Sequence, residues 1–259
     1  MPVCSAMVPA ALFLDLNGVL YDRPDEVLPG AVDTVNWARG RGLPLRFVTN
    51  TSTRDEGRIR SDLAGIGIAV EAGELFTAPL AARAWIEQRG LTPHCLVHPA
   101  LRATFADLAG SAPDCVVLGD ARGDLTYDAL NRAFRLVMEG APLVGLGMNR
   151  RFREGGEWML DAGGFIRAIA WAAEVEPVVM GKPSAVFFQQ LVADVGVPAS
   201  ECLMVGDDVE ADVAAARAAG LVGCLVRTGK YRPGDERRCG GALVIGSIAD
   251  LPRVLEGSS

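Results

Sequence analysis

The chain has 259 residues, half of them hydrophobic, and its 32 Asp and Glu outnumber its 25 Lys and Arg, which gives a net charge of -7. A chain of this length can bury one sizeable core or two smaller ones. The acidic balance argues against a nucleic-acid partner, which requires a basic surface. A small anionic substrate stays open, because local charge governs binding at a site.

The six cysteines form no Cys-x-x-Cys pair, and four of them lie in apolar runs typical of strands. We expect reduced core residues of a cytoplasmic protein, not zinc ligands. The first apolar stretch lacks a basic leader and runs directly into Asp15, so we expect no cleaved signal peptide. No apolar window reaches the roughly 18 residues of a membrane span, so we expect no membrane partner.

The first predicted strand, 11–15, ends at Asp15, and Asn17 and Gly18 follow in a turn. A carboxylate at the end of a buried strand can act as a nucleophile, and the N–H groups of the turn can hold a phosphate. Asp is also common in ordinary turns. This segment therefore needs support from elsewhere in the chain.

The second predicted strand, 44–49, ends in Thr49 and is followed by Asn50. The Thr49 hydroxyl could donate to a phosphate oxygen. The alternative is a helix cap, because Thr53 and Glu56 resemble a capping box.

Two charged segments follow predicted strands late in the chain. Lys182 lies between Gly181 and Pro183, so its backbone is constrained, which suits a lysine that neutralises a carboxylate and a phosphate together. The strand 202–206 precedes the acidic residues Asp207, Asp208 and Asp212. Asp208 could serve only as a helix N-cap, but several carboxylates at one strand end also favour a Mg²⁺ site.

Asp, Thr, Lys and an acidic pair, in this order at four strand ends, resemble the haloacid dehalogenase superfamily of phosphohydrolases over nearly the whole chain. The resemblance implies that Asp15 is the phosphorylated nucleophile and that Lys182 pairs with it. It also implies that Thr49 and Asn50 contact the phosphate, as would the turn at Gly18.

The same resemblance implies a Mg²⁺ cofactor. Its ligands would be Asp15, the backbone carbonyl of Asn17, and Asp207. Asp208 and Asp212 would lie behind them and orient the metal's water or Lys182.

Asn17 departs from the pattern of the superfamily, in which most phosphatases carry an Asp there as general acid and base. Asn cannot supply a proton, and general acid–base catalysis contributes about 10²–10⁴-fold. Substrates whose leaving groups depart without protonation should suffer least, namely pyrophosphate, phosphoramidates, and acyl or aryl phosphates. An engineered Asp-to-Asn change or a decayed enzyme are the alternatives. In the similar branch of the family a serine stands at this position.

Strand-like and helix-like runs alternate, which predicts an α/β fold: a Rossmann-like parallel sheet core with a second, inserted α/β cap domain. We assign residues 1–76 and 181–259 to the core and residues 77–180 to the cap, the type found in subclass IIA of the superfamily. The predicted helices are 31–40, 54–64, 77–89, 125–139, 164–174, 184–195 and 209–219, and the remaining predicted strands are 95–98, 115–118, 142–147 and 222–226.

The best cap candidates for substrate contact are Asn149, Arg150 and Arg151, and the alternative is a solvated basic turn. Related capped enzymes often pair through the cap, which implies a homodimer. The combined hypothesis is a Mg²⁺-dependent phosphohydrolase for a small phosphorylated substrate or pyrophosphate. Two alternatives stay open: a phosphate- and metal-binding regulatory or scaffold protein, and a sugar-phosphate or phosphoglycolate-type phosphatase.

Overall fold

The computed structural model describes residues 8–23 and 25–257, so Cys4 lies outside the described residues. Its strands, in chain order, are β1 (Ala11–Asp15), β2 (Tyr21–Arg23), β3 (Glu26–Val27), β4 (Leu45–Thr49), β5 (Leu75–Thr77), β6 (Pro93–Leu96), β7 (Cys115–Leu118), β8 (Leu143–Gly145), β9 (Arg151–Glu154), β10 (Glu157–Leu160), β11 (Val178–Val179), β12 (Cys202–Gly206), β13 (Val222–Val226) and β14 (Leu243–Ile245).

The α-helices are α1 (Ala31–Gly40), α2 (Glu56–Gly65), α3 (Ala78–Glu87), α4 (Arg102–Phe105), α5 (Tyr127–Met138), α6 (Ala162–Ala173), α7 (Ala185–Val195), α8 (Ala215–Ala218) and α9 (Leu251–Leu255). Residues Val209–Ala214 form π-helical turns directly ahead of α8. Among the described residues, no helix combines the length and the apolar character that crossing a membrane requires.

The described chain divides into two compact units. The first contains the residues up to Thr49, Glu56–Phe76 and those from Phe188 onward, and the second contains Asn50–Asp55 and Thr77–Phe187. The second unit thus extends the predicted 77–180 segment at its C-terminal end and adds a short piece near residue 50. That this unit acts as a cap stays a prediction.

The first unit is built on a six-stranded sheet of order β14-β13-β12-β1-β4-β5. The neighbouring pairs from β14 to β4 are parallel. Every residue of β1 and of β12 is buried, as expected for central strands of a parallel sheet covered on both faces. The predicted α/β fold with a parallel sheet core is confirmed.

The second unit has its own parallel sheet of order β11-β8-β7-β6. Helices α5 and α6 bury an apolar face on it that includes Ala133, Val137, Ile166 and Ile169. Thr126 and Asp161 cap these helices, since their side chains accept the N–H groups of Ala129 and Ala162.

Of the cysteines in the described part of the chain, all are free thiols, and all except Cys95 are buried. This agrees with the prediction of reduced core residues for this part of the chain.

Candidate active site

Two acidic side chains lie at the carboxyl end of the first unit's sheet because their strands are parallel neighbours. In the register of β1 and β12, Leu14 pairs with Val205, so Asp15 and Asp207 leave the sheet at the same edge. Ligands of open parallel sheets bind at this edge. The strand pairing thus positions both carboxylates for one site.

Asp15, Asp207 and Asp212 form a buried acidic cluster. One carboxylate oxygen from each lies within 4.8 Å of the others, and the residues are 7%, 2% and 1% exposed. Asp212 was predicted to lie behind the metal ligands, whereas the structure places its carboxylate in the same cluster as Asp15 and Asp207. Three buried carboxylates that face one another need a cation, because desolvated like charges repel.

Two glycines hold the Asp207 carboxylate. A Cβ on Gly18 or on Gly229 would come within 2.1 Å of Asp207 Oδ2, and both residues have a positive φ, 80° and 61°. The same oxygen accepts the backbone N–H of Lys230 at 2.8 Å. Since no other residue type leaves this space open, the glycines fix the position of the carboxylate.

Gly18 differs here from its predicted role as a phosphate donor. Its N–H already donates to the carbonyl of Tyr21 at 2.7 Å, so this group is committed within the turn. The contribution of Gly18 in the structure is the space it leaves for Asp207. Asn17, its neighbour, is exposed.

Asp208 and Asp212 have different surroundings although both follow β12. Asp208 caps the following helical segment, since Oδ1 accepts the N–H groups of Glu210 at 3.1 Å and Ala211 at 3.0 Å. Asp212 packs against Gly206, where a Cβ would lie 2.4 Å from its Oδ2. Burial raises the pKa of Asp208, but the Ala211 N–H, the charge of Lys230 and the Glu210 N–H outweigh this, so its pKa is lowered.

The donor set and the glycine-lined packing fit Mg²⁺. Carboxylate oxygens are the ligands that this ion prefers, and the cluster holds three of them within reach of one ion. A bound Mg²⁺ would neutralise charge that develops on a phosphate.

Lys182 and Asn50 contact each other within the second unit. The Asn50 amide donates to the Lys182 carbonyl at 2.7 Å, and its Oδ1 accepts the Lys182 N–H at 2.8 Å. Lys182 is buried, and the peptide bond to Pro183 is cis. Asn50 therefore orients the backbone of Lys182, and the pairing of Lys182 with Asp15 stays a prediction. Thr49, at the end of β4, is half-buried.

The cap candidates follow β8 in the second unit. Asn149 and Arg150 are exposed. The Asn149 side chain hydrogen-bonds Asp161, and its carbonyl accepts the N–H of Gly163 at 3.2 Å. Arg151 begins β9 and lies over the Trp158 ring, 4.6 Å from its centroid. Substrate contact by Asn149 and Arg150 stays a prediction.

The sequence alone assigns no role to the loop Thr228-Gly229-Lys230 after β13. In the structure Thr228 Oγ1 donates to the carbonyl of Gly18, and Gly229 and Lys230 contact Asp207. The available signal was a Gly-Lys pair directly after a buried strand of the same parallel sheet, where polar residues meet at one edge.

Family models described as haloacid dehalogenase-like hydrolase and HAD-hydrolase-like match residues 12–109 and 179–251. The phospholysine phosphohistidine inorganic pyrophosphate phosphatase of Rattus norvegicus is 39% identical over 231 residues, which cover 87% of this chain and 85% of the relative. The haloacid dehalogenase-like hydrolase domain-containing protein 2 of Homo sapiens is 34% identical over 238 residues, or 92% and 91% of the two chains.

Among solved structures, the 4-nitrophenylphosphatase of Thermotoga maritima superposes with a TM-score of 0.83 at 25% identity, covering 96% of this chain and 98% of that one. A parallel α/β sheet with a buried acidic site, together with phosphatases as relatives, defines a phosphatase. The chain belongs to the haloacid dehalogenase-like hydrolase family. The predicted family and enzyme class are confirmed.

Proposed function

We propose that this phosphatase is Mg²⁺-dependent and acts through an aspartyl-phosphate on Asp15. The observation that carries the proposal is the buried cluster of Asp15, Asp207 and Asp212 at the carboxyl end of the sheet. A cluster of this charge binds a cation, and a cation beside a strand-end carboxylate lets that carboxylate approach an anionic phosphate.

In the proposed reaction an Asp15 carboxylate oxygen attacks phosphorus in line with the leaving group. The bond from phosphorus to the leaving group breaks, and its electron pair departs with that group. Water then attacks the phosphorus of the aspartyl-phosphate, which releases phosphate and restores Asp15. Thr49 and Asn50 orient the phosphate oxygens, and Lys182 offsets their charge.

The preferred substrates follow from Asn17, which cannot protonate a leaving group. We propose pyrophosphate, phosphoramidates, and acyl or aryl phosphates, because their leaving groups depart without a general acid. The relative from Rattus norvegicus is named for phospholysine, phosphohistidine and inorganic pyrophosphate, which supports this range. Alkyl phosphates such as sugar phosphates would react about 10²–10⁴-fold more slowly than with an acid in place.

The second unit is proposed as a cap, with Asn149 and Arg150 in contact with the small phosphorylated substrate. Pairing of two chains through this unit and a cytoplasmic location belong to the same proposal.

The test compares phosphate release from pyrophosphate, phosphohistidine, p-nitrophenyl phosphate and a sugar phosphate in Mg²⁺. Asp15→Asn should abolish turnover of every substrate, while Asp22→Asn, the same change at an exposed position of β2, should leave it intact. Equal turnover by Asp15→Asn would refute the nucleophile. If the unmodified protein turns over none of the four but binds phosphate, a regulatory binding protein is the better description.

A further inference from the structure

Lys230 is the cation that the structure brings to the acidic cluster from within the first unit. Its backbone N–H donates to Asp207 Oδ2 at 2.8 Å, and its Nζ lies 3.5 Å from Asp208 Oδ2. The backbone and the side chain thus contact two adjacent acidic residues. The loop that carries it is tied to the turn after β1 through Thr228 and Gly18.

The Lys230 side chain lies on the solvent side of the cluster. It is 63% exposed, whereas the carboxylates of Asp15, Asp207 and Asp212 are buried. Partial burial lowers the pKa of Lys230, but the charges of Asp207, Asp208, Asp15 and Asp212 outweigh this and raise it. The ammonium group is therefore fully charged at the point where a substrate would meet solvent.

An ordinary surface ion pair with Asp208 is an incomplete account of this lysine. A pair at 3.5 Å with a mostly exposed lysine contributes little to stability. A charge at the mouth of a strongly acidic cluster does more for an incoming anion, because it offsets the repulsion that the carboxylates would exert.

Substrates differ in whether the leaving group is already charged when bound. In pyrophosphate the group that departs is itself an anionic phosphate, whereas in p-nitrophenyl phosphate it is a neutral ring until the bond breaks. A cation beside the site therefore stabilises the first kind of substrate both when it binds and as it reacts.

We propose that Lys230 determines substrate specificity, with its ammonium group contacting the departing phosphate of substrates that have an anionic leaving group. This inference rests on the proposed function, because it places the reacting phosphorus at Asp15. It distinguishes pyrophosphate from the aryl and acyl phosphates, a choice that Asn17 does not make.

The test uses Lys230→Met, which keeps the backbone N–H that Asp207 accepts. Arg232→Met is the matched control, since Arg232 is an exposed cation two residues along the same loop. With pyrophosphate, kcat/KM should fall about tenfold in Lys230→Met, the loss expected for one charge-assisted hydrogen bond. With p-nitrophenyl phosphate it should stay within about twofold, and Arg232→Met should change neither.

Equilibrium binding provides a second readout that does not depend on turnover. In Mg²⁺, methylenediphosphonate should bind Lys230→Met about tenfold more weakly by calorimetry, and inorganic phosphate should bind almost equally. Lys230→Arg should restore much of the difference. An equal loss for both substrates and both ligands would show that Lys230 only positions Asp207 and Asp208, and would overturn the inference. Full activity of Asp15→Asn would instead refute the proposed function, while the diphosphonate comparison would still test Lys230.

Discussion

Gly229→Ala should remove most of the activity by moving one carboxylate. The added Cβ would lie 2.1 Å from Asp207 Oδ2 and 2.6 Å from the Cα of Gly18, where ordinary contacts begin at 3.4 Å. Either the Asp207 carboxylate or the loop must therefore shift by about 1 Å. A shift of this size at a reacting centre costs on the order of 10²-fold in rate.

The same substitution should also destabilise the fold. An alanine at φ 61° costs about 1 to 2 kcal/mol in a left-handed conformation, and overpacking at a buried contact costs about 1 to 3 kcal/mol. We expect a total of about 2 to 4 kcal/mol in the free energy of unfolding, since relaxation relieves part of the contact.

Gly42→Ala is the matched control for the backbone cost. Gly42 has φ 68°, and a Cβ there would meet nothing within 4 Å, so only the conformational term of about 1 to 2 kcal/mol applies. Urea denaturation measures both unfolding free energies, and turnover of pyrophosphate and a Mg²⁺ binding isotherm measure the site. If Gly229→Ala retains the activity and Mg²⁺ affinity of Gly42→Ala, the glycines do not position Asp207.

Three further outcomes are expected. Asn17→Asp should raise kcat/KM for a sugar phosphate by about 10²-fold or more and for pyrophosphate far less, because only the alkoxide needs a proton; a uniform change would contradict this reasoning. Asp208→Ala should lower the unfolding free energy by about 1 kcal/mol through loss of the N-cap, whereas Asp212→Asn should weaken Mg²⁺ binding in calorimetry; interchanged effects would refute these roles. Burial raises the pKa of the Cys115 and Cys224 thiols to about 12. These thiols should therefore resist iodoacetamide at pH 8, and the stability that comes from their protonated forms should be lost as pH rises from about 9 towards 12, measured by urea denaturation.

The buried parallel strands could be predicted from sequence because each is a short apolar run that ends in a polar residue. The predicted and observed bounds of β1, β7, β12 and β13 coincide. Burial on both faces makes such strands continuously apolar, so their pattern needs no tertiary information. The same property predicts that Asp15 and Asp207 follow strands, but the pairing of those strands comes from the structure.

The hairpin of β9 and β10 was missed because it has little apolar patterning. All of its residues except Phe152 are exposed, and Arg151 and Arg153 lie over the exposed ring of Trp158, so this tryptophan is not a core residue. A usable signal was present in Gly155-Gly156, two glycines with positive φ that form the two-residue turn.

The place of Asp212 depends on backbone geometry that composition does not encode. The N–H of Val213 donates to the carbonyl of Asp208 at 3.3 Å, five residues back, as in the π-helical turns that often occur at functional sites. An alanine-rich segment predicts an ordinary helix there. The π-turn and the absence of a side chain on Gly206 together set where Asp212 lies against the end of β12.

Asn17 and Lys230 bear on the same step of the proposed reaction from different sides. A leaving group can be stabilised by a proton from an acid or by a positive charge that it meets as an anion. Position 17 holds no acid, and the loop after β13 brings a cation to the cluster. The carbonyl of Gly18, next to Asn17, accepts the hydroxyl of Thr228 in that loop. The two features are thus held in one turn-and-loop assembly, and both favour groups that leave as anions.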